Sequence, residues 1–249
     1  MHPPNPSRAW YAASIDAFRA ASAEEILGTL AGSSGFDIAL AQRDAWRAEI
    51  DFLRERLGGL TGSILFEFSI PRMGRRIDVV LLLAGVVFVV EFKIGAAGYD
   101  SSAVDQVWDY ALDLKNFHEA SHHLTIVPLL VVPDGRDESD ALRPDADGVV
   151  RPLRVNRWNF RDVLDRAATA FAAEPIDGER WAAASYRPTP TIIEAARALY
   201  AQHSVEEIAR HDAGAENLRV TSQHLEELVA EAQRSRRKLV CFVTGVPGA

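Results

Sequence analysis

Cysteine is almost missing from this sequence, with Cys241 alone among 249 residues. A single thiol excludes an intramolecular disulfide and a cysteine-rich zinc site, and it suits a reducing compartment. An apolar leader is missing too, because the opening MHPPNPSRAW has no hydrophobic stretch of the kind a secretory signal carries. The longest strongly apolar run, Val79 to Val90, is too short to span a bilayer as a helix and is bounded by acids. These absences predict a cytoplasmic protein with no membrane partner. Positive charge is also in short supply: 27 lysines and arginines face 35 aspartates and glutamates, for a net charge of −8. That excludes a broadly basic nucleic-acid binder, whose affinity rests on neutralised phosphates, so any such contact has to be local. A hydrophobic content of 48% supports a packed core, in one large domain or one domain with an appendage.

What the sequence does contain is a charged hairpin. Arg75 to Lys93 reads RRIDVVLLLAGVVFVVEFK, a run rich in β-branched residues broken by Ala84-Gly85. That pattern predicts two strands and a tight turn. A turn centred there sets Asp78 directly across from Glu91, with Cβ atoms roughly 5 Å apart on one face, where like charges repel unless something positive lies between them. Lys93 follows Glu91 by two residues and returns to the same face. A one-residue slip would send Asp78 to the other side, so the register matters. Oxygen ligands in this arrangement suit Mg²⁺ or Mn²⁺. Such an ion activates water and neutralises charge growing on a phosphorane. A plain surface hairpin with solvated charges at its strand ends is the alternative. Arg72, Arg75 and Arg76 precede Asp78 and form a candidate local patch for nucleic acid.

Around the hairpin, residues 1 to 8 are proline-rich, and Trp10 to Leu30 reads as one alanine-rich helix in an N-terminal attachment, residues 1–35. A helix over Ile38 to Leu57 has Trp46, Ile50, Leu53 and Leu57 on one stripe, with Glu49 at its border. Glu49 is either a solvated flank or a carboxylate lent to an adjacent metal. The strand Ser63 to Ile70 alternates, with Phe66 and Phe68 on one face and Glu67 on the other, where it either approaches the site or points to solvent. A helix from Ser102 to Ala120, with Ser102 and Asp105 resembling a capping box, sets Gln106 and Tyr110 one turn apart. On their own these two also fit an ordinary core tyrosine with its polar neighbour. Strands at Leu124 to Val132 and Gly148 to Asn156, then a helix from Trp158 to Ala173, complete an α/β order.

That order, the signature Asp78…Glu91-Phe92-Lys93 and the helical Gln106-x-x-x-Tyr110 resemble the PD-(D/E)xK phosphodiesterase superfamily. The Gln-x-x-x-Tyr element is similar to that of its exonuclease-like branch found with helicases. The resemblance spans about residues 38 to 156. It implies a restriction-endonuclease-like αβββαβ core with a mixed central sheet, within a nuclease-like domain at 36–173. It implies that Asp78 and Glu91 hold Mg²⁺ or Mn²⁺, with Glu49 and, less directly, Glu67 as further ligands. Lys93 would assist the attacking water, and Gln106 and Tyr110 would serve the site or the DNA. No proline precedes Asp78, a departure from the motif as it is named.

Residues 174 to 190 read as a proline-bearing linker, followed by connector helices at about Thr191 to Gln202, Val205 to Ala213 and Ser222 to Ser235, a connector that ends at 237. They are expected to pack weakly on the core. The last stretch, KLVCFVTGVPGA, runs from an apolar strand into Gly245-Val-Pro-Gly248-Ala, which matches the first positions of a G-x-x-x-x-G-K-[ST] phosphate loop. A coincidental glycine turn is the alternative. The match resembles helicase-type ATPases, and it implies residues 238–249 as the beginning of an ATPase domain whose ATP-binding remainder lies beyond the chain. The expectation is a DNA nuclease joined to that ATPase, in defence or repair. The competing expectation is a non-catalytic nucleic-acid-binding or docking module that regulates it.

Overall fold

The computed structural model of the chain describes residues 8–33, 40–71, 74–138 and 140–186, together with part of 227–235. The chain divides into two units, Met1–Ser185 and Tyr186–Ala249. In the second, the described residues between 227 and 235 are helical, and Gly245, Gly248 and the two earlier connector helices lie outside the described residues.

The first unit begins with strand β1 (Tyr11–Ser14), followed by helices α1 (Ile15–Ala20), α2 (Ala23–Ser33) and α3 (Leu40–Arg56). Strands β2 (Gly62–Ile70), β3 (Arg75–Leu83) and β4 (Val86–Phe92) come next, then helix α4 (Ser101–Phe117). Strands β5 (Thr125–Val131) and β6 (Leu153–Val155) and helices α5 (Phe160–Ala170) and α6 (Gly178–Ala183) close the unit. The strands form one six-stranded sheet in sequence order. Neighbours from β1 to β4 are antiparallel, whereas β4, β5 and β6 run parallel. The fold is therefore α/β with a mixed open sheet flanked by helices.

The hairpin turn forms because Ala84 and Gly85 both adopt left-handed backbone, at φ 49° and 81°. A two-residue turn of that kind follows the right-handed twist of its strands. Gly85 has a second reason to lack a side chain: a Cβ there would lie 2.6 Å from the backbone of Ala173, whose amide donates to the Ala84 carbonyl at 2.9 Å. The turn thus docks on the chain just past α5. Trp46, Ile50 and Leu53 of α3 and Leu57 just after it are buried, as their stripe predicts, and they share a core with Ile15, Phe18, Val79, Phe88, Val90 and Phe160.

Three expectations need correction. The single helix expected over Trp10 to Leu30 is an edge strand and two helices, and Tyr11–Ser14 pairs with β2 from Phe66 to Ser63. Ser14 caps α1 by accepting from the Ala17 amide, and Ser22 and Glu25 make a reciprocal capping box at α2. These residues belong to the sheet and its core rather than to an attachment. The cap of α4 is Asp100, which accepts from the Ser102 amide, and not Ser102 with Asp105. Finally, the segment read as a linker contains α6, whose Trp181 is buried with its ring 5.0 Å from that of Phe68. Weak packing after residue 174 is therefore not what residues 178–183 show.

Candidate functional site

The candidate site lies where the β3–β4 ladder stops. The last paired residues toward that end are Val79 and Val90. One step beyond, Asp78 Oδ2 accepts from the Phe92 amide at 2.8 Å, so a carboxylate takes the ladder position that a backbone carbonyl would fill. Glu91 is buried. Its Oε1 accepts from Lys93 Nζ at 2.8 Å and from Gln106 Nε2 at 2.8 Å. Gln106 Nε2 also meets the Tyr110 hydroxyl at 2.8 Å, and Lys93 Nζ lies 3.5 Å from Gln106 Oε1. The single turn between Gln106 and Tyr110 lets α4 close this chain of polar contacts over β4.

The first-helix carboxylate arrives as well. Glu49 is buried on α3, one turn after Trp46. Burial pushes its carboxyl well above the usual range, and the charges of Asp78, Glu67 and Glu91 push it further. Asp78 is likewise raised well above its ordinary value by burial and by Glu91, against the opposing bond from Phe92. Burial raises Glu91, and the Lys93 ammonium opposes that shift. Three neighbouring carboxyls, each with its proton affinity raised first by burial, form a site short of positive charge. Lys93 moves upward too: burial lowers it, but its bond to Glu91 and the surrounding acids win. It stays protonated at neutral pH and is placed to orient or stabilise, not to accept a proton.

Glu67 reaches this neighbourhood through a break in β2. Phe66↔Val79 and Phe68↔Ile77 pair on either side, while Glu67 and Asp78 do not, and Glu67 has φ 51°. The strand turns over at that residue: Phe66 packs with Phe18 and Tyr11, whereas Phe68 packs with His118 and Trp181. The expected placement of both phenylalanines on one face is thus corrected. Glu67 accepts from Trp46 Nε1 at 2.7 Å, from Arg76 Nε at 2.7 Å and from Gln42 Nε2 at 3.4 Å.

Of the three arginines, Arg72 lies outside the described residues. Arg75 is exposed, and its charge lowers the raised pKa that burial gives the Tyr110 hydroxyl. Arg76 is committed to Glu67 and stacks 4.2 Å over the Trp10 ring. The structure thus brings together Glu49, Asp78, Glu91, Lys93, Gln106 and Tyr110, with Glu67 alongside. Sequence reasoning missed the Trp46 indole as a donor and the Trp10 ring as its neighbour, although the three-residue spacing from Trp46 to Glu49 signals a shared helix face.

The donor set is chemically right for a hard divalent cation. Glu91 Oε2 is buried and takes no N–H donor, and the Glu91 carboxyl meets that of Asp78, a close pair of oxygens of the kind that a cation satisfies. Among the described residues, no three His, Cys, Asp or Glu side chains converge closely enough to hold an ion as they stand. Binding therefore requires the neighbouring carboxylates to rotate toward Glu91 Oε2, while Oε1 keeps its two donors. No helix among the described residues is long and apolar enough to cross a membrane. No family model, curated protein or solved structure matches this chain.

Proposed function

We propose that this protein is a Mg²⁺- or Mn²⁺-dependent phosphodiester hydrolase acting on nucleic acid, with DNA as its first substrate class. The observation behind this reading is the cluster of Glu49, Asp78 and Glu91 with a protonated Lys93 bonded to one of them. The αβββαβ run from α3 to β5 and the motif residues in it support a restriction-endonuclease-like core. Asp78 and Glu91 would hold the ion, and Glu49 would complete its carboxylate set. When bound, the ion supplies an activated water and a counter-charge for the pentavalent phosphate. Lys93 contributes a second positive charge near the scissile phosphate, and Gln106 holds both Lys93 and Glu91 in place. Tyr110, buried beneath, fixes the Gln106 amide. Coupling to a P-loop ATPase following Gly245 and Gly248, in defence or repair, belongs to the same proposal and rests on the sequence alone.

A second reading is a docking or nucleic-acid-binding module without catalysis. It is favoured by the absence, among the described residues, of a converged three-ligand set. Labelled single- and double-stranded DNA and RNA incubated with Mg²⁺, Mn²⁺ or EDTA separate the two. Metal-dependent cleavage supports the hydrolase, and retention of the label uncut but bound supports the module.

A further inference from the structure

Four side chains beside the acid cluster close on one another. The Trp10 and Trp46 rings meet edge-on with centroids 5.9 Å apart. Trp46 donates to Glu67, Glu67 is ion-paired with Arg76, and Arg76 stacks back on Trp10. The four come from the residue before β1, from α3, from β2 and from β3. Two of them adjoin the candidate ligands. Trp46 precedes Glu49 by three residues on α3, so the two share a helix face, and Arg76 precedes Asp78 by two on β3. Glu67 sits opposite Asp78 in the one gap of the β2–β3 ladder, with a backbone conformation that non-glycine residues rarely adopt. Such an outlier persists only when its surroundings hold it, and here three donors converge on its carboxylate.

We infer that Trp10, Trp46, Glu67 and Arg76 form a clasp that sets α3, and with it Glu49, against Asp78, making Glu67 a positioning residue and not a cation ligand. Both Glu67 oxygens are occupied by donors: Oε1 by Trp46 and Gln42, Oε2 by Arg76. Ligation through Oε1 would break the indole bond, and ligation through Oε2 would set a cation against the Arg76 guanidinium. The same contacts aim Arg76 Nε at Glu67 and lay its guanidinium over Trp10. The consequence for cation binding rests on the hydrolase proposal, whereas the hold on α3 does not.

The discriminating variant is Trp46→Phe, which removes the indole donor, keeps an aromatic ring against Trp10 and changes no charge or oxygen ligand. If Glu67 positions, Mn²⁺ affinity measured by calorimetry falls on the order of tenfold, the scale seen when a group behind a ligand is lost. Amide hydrogen exchange along Trp46 to Leu53 in the metal-free protein should also quicken, and Trp46→Phe with Glu67→Gln should lose little more than the weaker-binding single variant. Arg76→Met provides a check of opposite sign. Loss of a positive charge by itself favours a cation electrostatically, so a fall in affinity can come only from lost positioning and upholds the clasp, whereas a rise overturns it. Wild-type Mn²⁺ affinity and exchange in Trp46→Phe would overturn the clasp. Were the wild-type protein itself to take no Mn²⁺, the hydrolase proposal would fall, and exchange along α3 would still decide: quickened exchange upholds the clasp and unchanged exchange overturns it.

Discussion

At Asp78, one side chain serves the fold and the proposed chemistry at once. Its carboxylate ends the β3–β4 ladder on the Phe92 amide, yet burial and Glu91 hold its pKa well above the ordinary range. A raised carboxyl binds its proton more tightly in the folded state than in the unfolded one. Its contribution to stability is therefore present below the unfolded value, about 4, and is lost as pH rises from there through the raised folded value. Asp78→Asn keeps an acceptor for Phe92 and removes the titration, so the metal-free variant should unfold a few degrees higher than wild type at neutral pH, for a gain of about 1 kcal/mol. Thermal unfolding with EDTA checks this. Because cation and protons compete for the same oxygens, Mn²⁺ affinity should climb steadily between pH 5 and pH 8, and calorimetry in buffers of different ionisation enthalpy should register released protons. Lys93 separates from the acids by role. Lys93→Ala should cut cleavage on the order of a hundredfold, the scale of one electrostatic stabiliser, while Mn²⁺ binding survives. Parallel cleavage and calorimetric titrations measure both.

Among the elements, the hairpin was the most legible, because Asp78, Ala84-Gly85 and Glu91 fix register, turn and facing acids in one stretch of sequence. Strand β1 was not. Tyr11–Ser14 is four residues long with two alanines, and only its pairing with β2 makes it a strand. The start of α2 could have been read from Ser22 and Glu25, a capping box that divides the supposed long helix. The break at Glu67 was invisible, since a strict alternation of Phe66, Glu67 and Phe68 gives no sign of a left-handed residue. Helix α6 was hidden by prolines on either side, although Trp181 inside it is a large apolar residue in need of cover. Its indole donates to Ser121 Oγ at 3.1 Å, and the same hydroxyl lies 2.7 Å from His118 Nδ1. Trp181→Ala should therefore cost about 3–5 kcal/mol, measurable by denaturant unfolding. His118, buried against that indole and near Arg8, is pushed down to about 4. A histidine kept neutral contributes stability above its unfolded value of about 6.5 that is lost as pH falls toward 4.

For the whole molecule, acidity and the proposed nucleic-acid chemistry are reconciled by concentration of charge. A net charge of −8 opposes phosphate at long range, whereas a bound divalent ion and Lys93 would reverse the sign within the site. The mixed sheet makes this possible by bringing β3 and β4 side by side at their charged ends while α3 and α4 each lend a polar side chain from a separate part of the chain. The hairpin register that points Asp78 toward Glu91 is the part their spacing predicts. The approach of Glu49 was left open, because a glutamate bordering an apolar stripe looks the same in sequence whether it meets solvent or other acids. The most direct test of the proposed chemistry is the rate at which labelled DNA is cut as Mn²⁺ is raised, for wild type and Asp78→Asn side by side. The predicted result is a saturable rise for the wild-type protein and a variant that stays at the EDTA baseline. Equal cutting by both proteins, or cutting by the wild type that EDTA leaves untouched, would contradict it.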